Sequence, residues 1–225
     1  IVILGSGAIA WIIAKVLGIN IKTFVPPMMF GNTGNLGLPI AVLALGEIAL
    51  GAAVVLFVIT MLLHFTFGAY ILSKNSNLLP VFRSPILIAT LAGIGINLID
   101  LEIWLPATQM IDLLGQAAIP LLLFTLGTRL IGVNFGEWKL GVLGAILCPL
   151  SGLVMALILV QFFDFETLHY QQLIIFSVLP PAVLNHVMAE KYQQQPETVA
   201  SIVMIGNIGS LFVLPIALYY VLLIN

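Results

Sequence analysis

Three short runs hold the polar residues that could do chemistry in this chain. Phe30-Gly-Asn-Thr-Gly-Asn-Leu-Gly-Leu-Pro39 sets Asn32, Thr33 and Asn35 among glycines in an apolar stretch. Leu179-Pro-Pro-Ala-Val-Leu-Asn-His186 sets Asn185 and His186 about a turn after Pro180 and Pro181. Asn207 and Ser210 form the third run, beside Gly206 and Gly209. Amides and hydroxyls offer donors and acceptors without net charge, and histidine titrates near neutral pH. Such a set suits the binding of a small polar or anionic molecule. An enzyme would need clustered catalytic groups, and the sequence offers no Ser-His-Asp set and no His-rich metal cluster. Cys148 is the single cysteine, so no intrachain disulfide and no Cys-rich metal site is possible. No metal and no cofactor is expected.

The elements that hold these residues are set by prolines and glycines. Pro26, Pro27, Gly31, Gly34, Gly37 and Pro39 fall in one apolar segment and are expected to break its helix several times over. Pro180 and Pro181 open a second segment of the same kind. Backbone that leaves the helix inside a membrane must be satisfied by protein or by a water-lined cavity, so both segments should face the interior. The breaks expose N–H groups and a positive dipole end, to which an anion can bind without a full buried charge. Glu47 and Glu197 open the spans that follow, which makes the two segments a weak internal repeat. An odd number of spans separates the copies, so they cross in opposite directions. Inverted repeats with paired broken helices are a recurrent plan of secondary transporters.

Composition fixes the class. Apolar residues make up 61% of the chain and charged residues 7%, against about 25% charged in soluble domains, and no water-soluble surface can be built from so little charge. There is no basic patch to bind nucleic acid. The fold class predicted is an all-α membrane protein with eight transmembrane helices, at roughly 1–19, 24–46, 48–73, 81–99, 106–131, 138–163, 170–190 and 198–223. Short polar runs separate them: 21–23, 73–77, 100–102, 134–139, 164–169 and 191–197. The cations Lys15, Lys22, Lys74, Arg83, Arg129, Lys139 and Lys191 then all fall on one side. Glu47, Asp100, Glu102, Asp112, Asp164 and Glu166 fall on the other. The positive-inside rule puts the basic side in the cytoplasm and the C-terminus on the opposite face.

The two broken segments resemble those of the auxin efflux carrier family. The first does so in Asn32-Thr33 and the following Gly-aliphatic-Pro. The second does so in Leu179 to Tyr192 with Pro196-Glu197 after it, and the stretch from Ile119-Pro-Leu to Leu126-Gly127 is also similar. The likeness covers nearly the whole chain. It implies a ten-helix carrier built as a 5+5 inverted repeat with two broken crossover helices. Residues 1–73 would be three spans of the first repeat, its first two spans lying upstream of Ile1, and 80–225 the complete second repeat. It also implies a small organic anion as substrate: malate, malonate or an auxin-like acid. Asn32 and Thr33 match the substrate-facing Asn-Thr and Pro39 the crossover proline. Asn185 stands where plant members carry a second crossover proline, and the long loop of the plant proteins is missing. Both departures point to a bacterial-type carrier in the inner (cytoplasmic) membrane. The expected partners are the anion, the lipid bilayer and a second copy of the chain in a homodimer.

Plainer roles compete at each position. Asn32, Asn35 and Asn185 could cap broken helix ends as well as bind substrate. His186 and His64 could be packing residues, and Asn207 could sit where Gly206 and Gly209 allow helices to close up. Pro26, Pro27, Gly34, Pro39, Pro180 and Pro181 are architectural. Ile1-Val-Ile-Leu-Gly-Ser-Gly-Ala-Ile-Ala10 mimics a dinucleotide-binding turn, but no acidic residue follows about 20 positions on, so Gly5 and Gly7 are expected to serve packing. Rival functions are a sodium-coupled symporter of bile-acid carrier architecture and a membrane sensor that binds an anion without moving it.

Overall fold

The computed structural model describes residues 1–73, 85–129 and 136–223. The predicted connections around Lys74 to Arg83 and around Asn134 lie outside these residues. Among the described residues every regular element is helical. In chain order they are α1 (Val2–Leu17), α2 (Ile21–Met29), a π-helix (Thr33–Gly37) that runs into α3 (Leu38–Leu45), a 3-10 turn (Glu47–Ala49), α4 (Leu50–Leu63), a second π-helix (His64–Gly68), α5 (Ala69–Leu72), α6 (Pro85–Leu98), α7 (Leu105–Arg129), α8 (Trp138–Leu159), α9 (Thr167–Ser177), α10 (Leu184–Lys191) and α11 (Pro196–Leu222). Among the described residues four stretches are long and apolar enough to cross a membrane: Glu47–Leu72, Leu105–Thr125, Trp138–Leu159 and Pro196–Leu222. Val2–Leu17, Thr33–Leu45 and Ile88–Leu98 are shorter apolar helices.

The outer surface is that of a protein solvated by lipid. On α11, Leu211, Phe212, Ile216 and Tyr219 are each exposed by 70% or slightly more, an apolar face that water would not tolerate. The inner surface is made of small residues, as membrane helices require for close approach. Gly141, Gly144, Cys148, Ser151, Gly152 and Ala156 form the buried stripe of α8, against which α11 packs most extensively. Ser6, Gly7, Ala10 and Ala14 do the same for α1, which lies on α2 and α8. A Cβ on Gly5 would meet Met155, and one on Gly7 would meet Met29. The glycines of the dinucleotide-like turn thus serve helix packing within one continuous helix.

Local chemistry sets the joints. Gly18, at φ 68°, ends α1 by returning its own N–H to Lys15 O at 3.4 Å and that of Ile19 to Ala14 O at 2.8 Å, a glycine C-cap. Asn20 Oδ1 then accepts from Lys22 N at 3.0 Å and starts α2 at Ile21. The expected polar link at 21–23 is therefore helical, because an N-cap asparagine precedes it.

Pro26 and Pro27 do not break α2, which runs on to Met29. Each proline takes its own N–H out of the helix, yet Phe30 N still reaches Pro26 O at 3.0 Å. The first segment is therefore broken once, at Phe30 to Asn32, rather than several times. The second segment breaks at Val178 to Val183, between α9 and α10, with Pro180 and Pro181 inside the break. The two Pro-Pro pairs thus stand differently toward their breaks.

Candidate functional site

The two breaks cross each other. Gly31 and Pro181 form an isolated antiparallel bridge, the only bridge among the described residues. Asn32 N donates to Pro180 O at 2.8 Å, and Ala182 N donates to Phe30 O at 2.9 Å. Two chain segments that left their helices thus satisfy part of each other's backbone, as an apolar interior demands. Gly31 sits close against the partner segment, a Cβ there lying 3.3 Å from Leu179 Cβ. Pro39 lies away from this crossing, in the first turn of α3.

Asparagine side chains complete the joint. Asn185 Nδ2 donates to Phe30 O at 3.0 Å and to Ala182 O at 2.9 Å. Asn207, in mid-α11, donates from Nδ2 to Pro181 O at 3.0 Å and to Val203 O at 2.7 Å. Its Oδ1 accepts from Asn32 Nδ2 at 3.3 Å. Cys148 Sγ lies 3.6 Å from both Pro27 O and Leu179 O, one carbonyl from each broken segment. Asn32, Asn185 and Asn207 are all buried. α11 can approach because Gly206 lacks a side chain: a Cβ there would lie 2.7 Å from Pro181 Cδ.

Two cavities flank the crossing. One, of about 430 Å³, is lined by Asn32, Thr33, Gly34 and Asn35 from the first break, by Ala182 to Leu184 from the second, and by Thr60, Met61, His64 and Thr125 from the surrounding helices. The other, of about 300 Å³, reaches Ile1 and Leu159 and is lined by Met29, Leu56, Cys148 and Ser177 among others. Gly31, Thr33 and Thr60 line both, so these three residues form the partition between them. Asn35, half-buried, faces the larger cavity. The first turn of the Thr33–Gly37 helix borders it too, with Thr33 N already donating to Gly31 O at 2.9 Å.

His186 takes no part in the lining of either cavity. Its Nδ1 lies 3.1 Å from Pro196 O and its Nε2 lies 3.5 Å from Glu190 Oε1, at the α10–α11 junction. His64, expected from the sequence to be a packing residue, lines the larger cavity. It is 2% exposed, stacked on Phe30 with ring centroids 4.2 Å apart and planes within 7°. Its mid-span position was visible in the sequence, but the face it presents was not. Among the described residues no group of three or more His, Cys, Asp or Glu side chains could hold a metal ion.

Helices broken at mid-length and crossing inside an apolar bundle are a recurring construction of membrane carriers. Comparison with known proteins agrees. Residues 70–218, well over half of the chain, match the family model described as "Membrane transport protein". The chain belongs to this family, that of the auxin efflux carriers. A protein of Rhizobium meliloti (strain 1021) named "Putative malonate transporter" is 25% identical over 206 residues, which cover 85% of this chain and 64% of that protein. The chain thus spans somewhat under two thirds of that relative. No solved structure matches the chain at a significant level.

Proposed function

We propose that the protein carries a small organic anion across a membrane by alternating access, with the crossing of the two breaks as its binding site. The observation that carries this reading is the pair of cavities that share Gly31, Thr33 and Thr60. A ligand held at this partition needs only a small movement to face one cavity or the other. The hydroxyl of Thr33 and the amides of Asn32 and Asn35 would bind a carboxylate there. Asn185 and Asn207 hold the crossing in shape behind them, and His186 stands at the α10–α11 junction. The eight predicted helices would be spans of a bacterial inner membrane, basic connections in the cytoplasm and the C-terminus outside. Malonate is the first substrate to try, since a relative bears that name.

The test is uptake of labelled malonate, malate and indole acetate by full-length protein in proteoliposomes. Uptake of one acid, cut at least about tenfold by Asn32→Leu in a protein that still folds, is the expected result; a factor of ten corresponds to one hydrogen bond of about 1.4 kcal/mol. Binding of an acid without flux would move the reading to a sensor. No uptake of any of the three under sodium or proton gradients would remove the organic acids from consideration.

A further inference from the structure

We propose that the His64 imidazole, with the Asn185 amide oxygen beside it, docks the carboxylate of the carried anion and takes up the proton that neutralises it. This rests on the anion-carrier reading above. His64 Nε2 and Asn185 Oδ1 are both buried and neither has a well-formed hydrogen bond, the two side chains lying within reach of each other. Unsatisfied buried polar atoms are expensive, and a native structure tolerates few of them without a functional reason. His64 faces the 430 Å³ cavity. A carboxylate in the cavity offers the acceptor that an Nε2–H lacks, and once the proton is on His64 the neighbouring Asn185 oxygen favours the imidazolium.

Charge strengthens the assignment. Among the described lining residues of that cavity, His64 is the one side chain that can carry a charge. An anion brought to this depth without a counter-charge would be costly, and so would a lone imidazolium. Together they form a neutral pair. The Phe30 ring lies parallel to the imidazole at 4.2 Å, where its π-face favours a cation. Titratable groups on the neighbouring elements are engaged elsewhere. Lys22 Nζ on α2 donates to Leu72 O, and His186 and Glu190 on α10 lie beside each other. Asp112 on α7 accepts from Gln116 in an exposed setting, and none of these residues lines the cavity.

The backbone points the same way. The cavity is bordered by both π-helices, Thr33–Gly37 and His64–Gly68. This form makes up well under 1% of residues in globular proteins and gathers at functional sites. The second one sets the face on which His64 lies. Its Gly68 leaves room for the Phe30 ring, since a Cβ there would come within 2.8 Å of Phe30 Cε2 and 3.1 Å of His64 Cδ2.

The experiment is calorimetric binding of malonate to purified full-length protein, in buffers of different ionisation enthalpy and from pH 6 to 8. Wild type should take up about one proton per malonate bound, and its affinity should fall about tenfold per pH unit as pH rises. His64→Gln keeps a neutral donor. It should lose the proton uptake, flatten the pH dependence and bind at least about tenfold more weakly. Proton uptake that persists in His64→Gln would place the proton on the ligand and overturn the proposal. Wild-type binding with no proton uptake would also overturn it, and this result stands even if the variant fails to fold. No binding of malonate, malate or indole acetate by wild type would defeat the anion reading itself, and this inference with it.

Discussion

Asn207 is expected to act on the stability of the crossing rather than on the ligand. Both Nδ2 protons are committed, to Pro181 O and Val203 O, and Oδ1 accepts from Asn32. The side chain lines neither cavity. Asn207→Leu keeps a similar volume while stranding Pro181 O and Asn32 Nδ2. Each orphaned buried group costs about 1–3 kcal/mol. Hydrogen bonds between membrane helices average about 0.6 kcal/mol with a maximum near 1.7, so a total of about 2–4 kcal/mol is expected. For a chain of this size that is a fall of roughly 5–15 °C in Tm. The assay is thermal unfolding in a fixed detergent for wild type, Asn207→Leu, Asn32→Leu and the double variant. In the double variant the Asn32 donor is no longer stranded, so its loss should be about 1 kcal/mol smaller than the sum of the single losses. The affinity of the folded protein for malonate should change less than threefold in Asn207→Leu. An unchanged Tm, additive single losses, or a collapse of affinity at constant Tm would each refute the structural role.

Two further outcomes follow from the same geometry. Gly152→Ala should lower stability by about 3 kcal/mol or more, at the upper end of overpacking costs. Its Cβ would run into the backbone carbonyl of Ser177, whose carbon lies 2.9 Å away, and thermal unfolding or loss of folded yield reads it. Gly51→Ala in α4, with nothing within 4 Å of its Cβ, is the control. It should be neutral or gain up to about 1 kcal/mol of helix propensity. Asn35→Leu should do the reverse of Asn207→Leu, weakening malonate binding with Tm unchanged within about 2 °C, because Asn35 is half-buried on the cavity wall.

The sequence made the positions of the breaks legible because proline and glycine act locally. A residue without an N–H, or without a Cβ, changes the helix within a turn of itself. It did not reveal how many breaks occur. The sequence alone suggested that Pro26 and Pro27 would interrupt α2, whereas the hydrogen bond from Phe30 N to Pro26 O carries the helix past them. The pairing of Gly31 with Pro181 lay beyond reach, since it joins segments 150 residues apart and has no local signature. The asparagines were recognisable as polar groups with work to do. Which of them face the cavity depends on rotation about the helix axes, and no single sequence sets that. His64 shows the point most plainly, because the helix turns into π form at that residue.

Backbone accounting at the crossing explains how the polar side chains divide their labour. Two broken helices in an apolar interior leave several carbonyls with no helical partner. Phe30 O is covered by Ala182 N and Asn185 Nδ2, Pro180 O by Asn32 N, Pro181 O by Asn207 Nδ2, and Pro27 O and Leu179 O by the Cys148 thiol in turn. Groups used in this way are unavailable to a ligand without loosening the joint. What is left over on the cavity side is a short set: the second Nδ2 proton of Asn32, the Thr33 hydroxyl, the Asn35 amide and His64 Nε2. Asn185 links the two roles from behind the cavity wall, holding the crossing through its nitrogen and standing beside His64. On the proposed mechanism this gives a physical reason for the arrangement. The breaks are tied to each other and to α8 and α11, while α7 meets the described chain chiefly at the first π-helix and α3. The crossing can therefore move against α7 as one unit, with its backbone bonds intact, and only the spare groups need exchange partners when the ligand arrives or leaves.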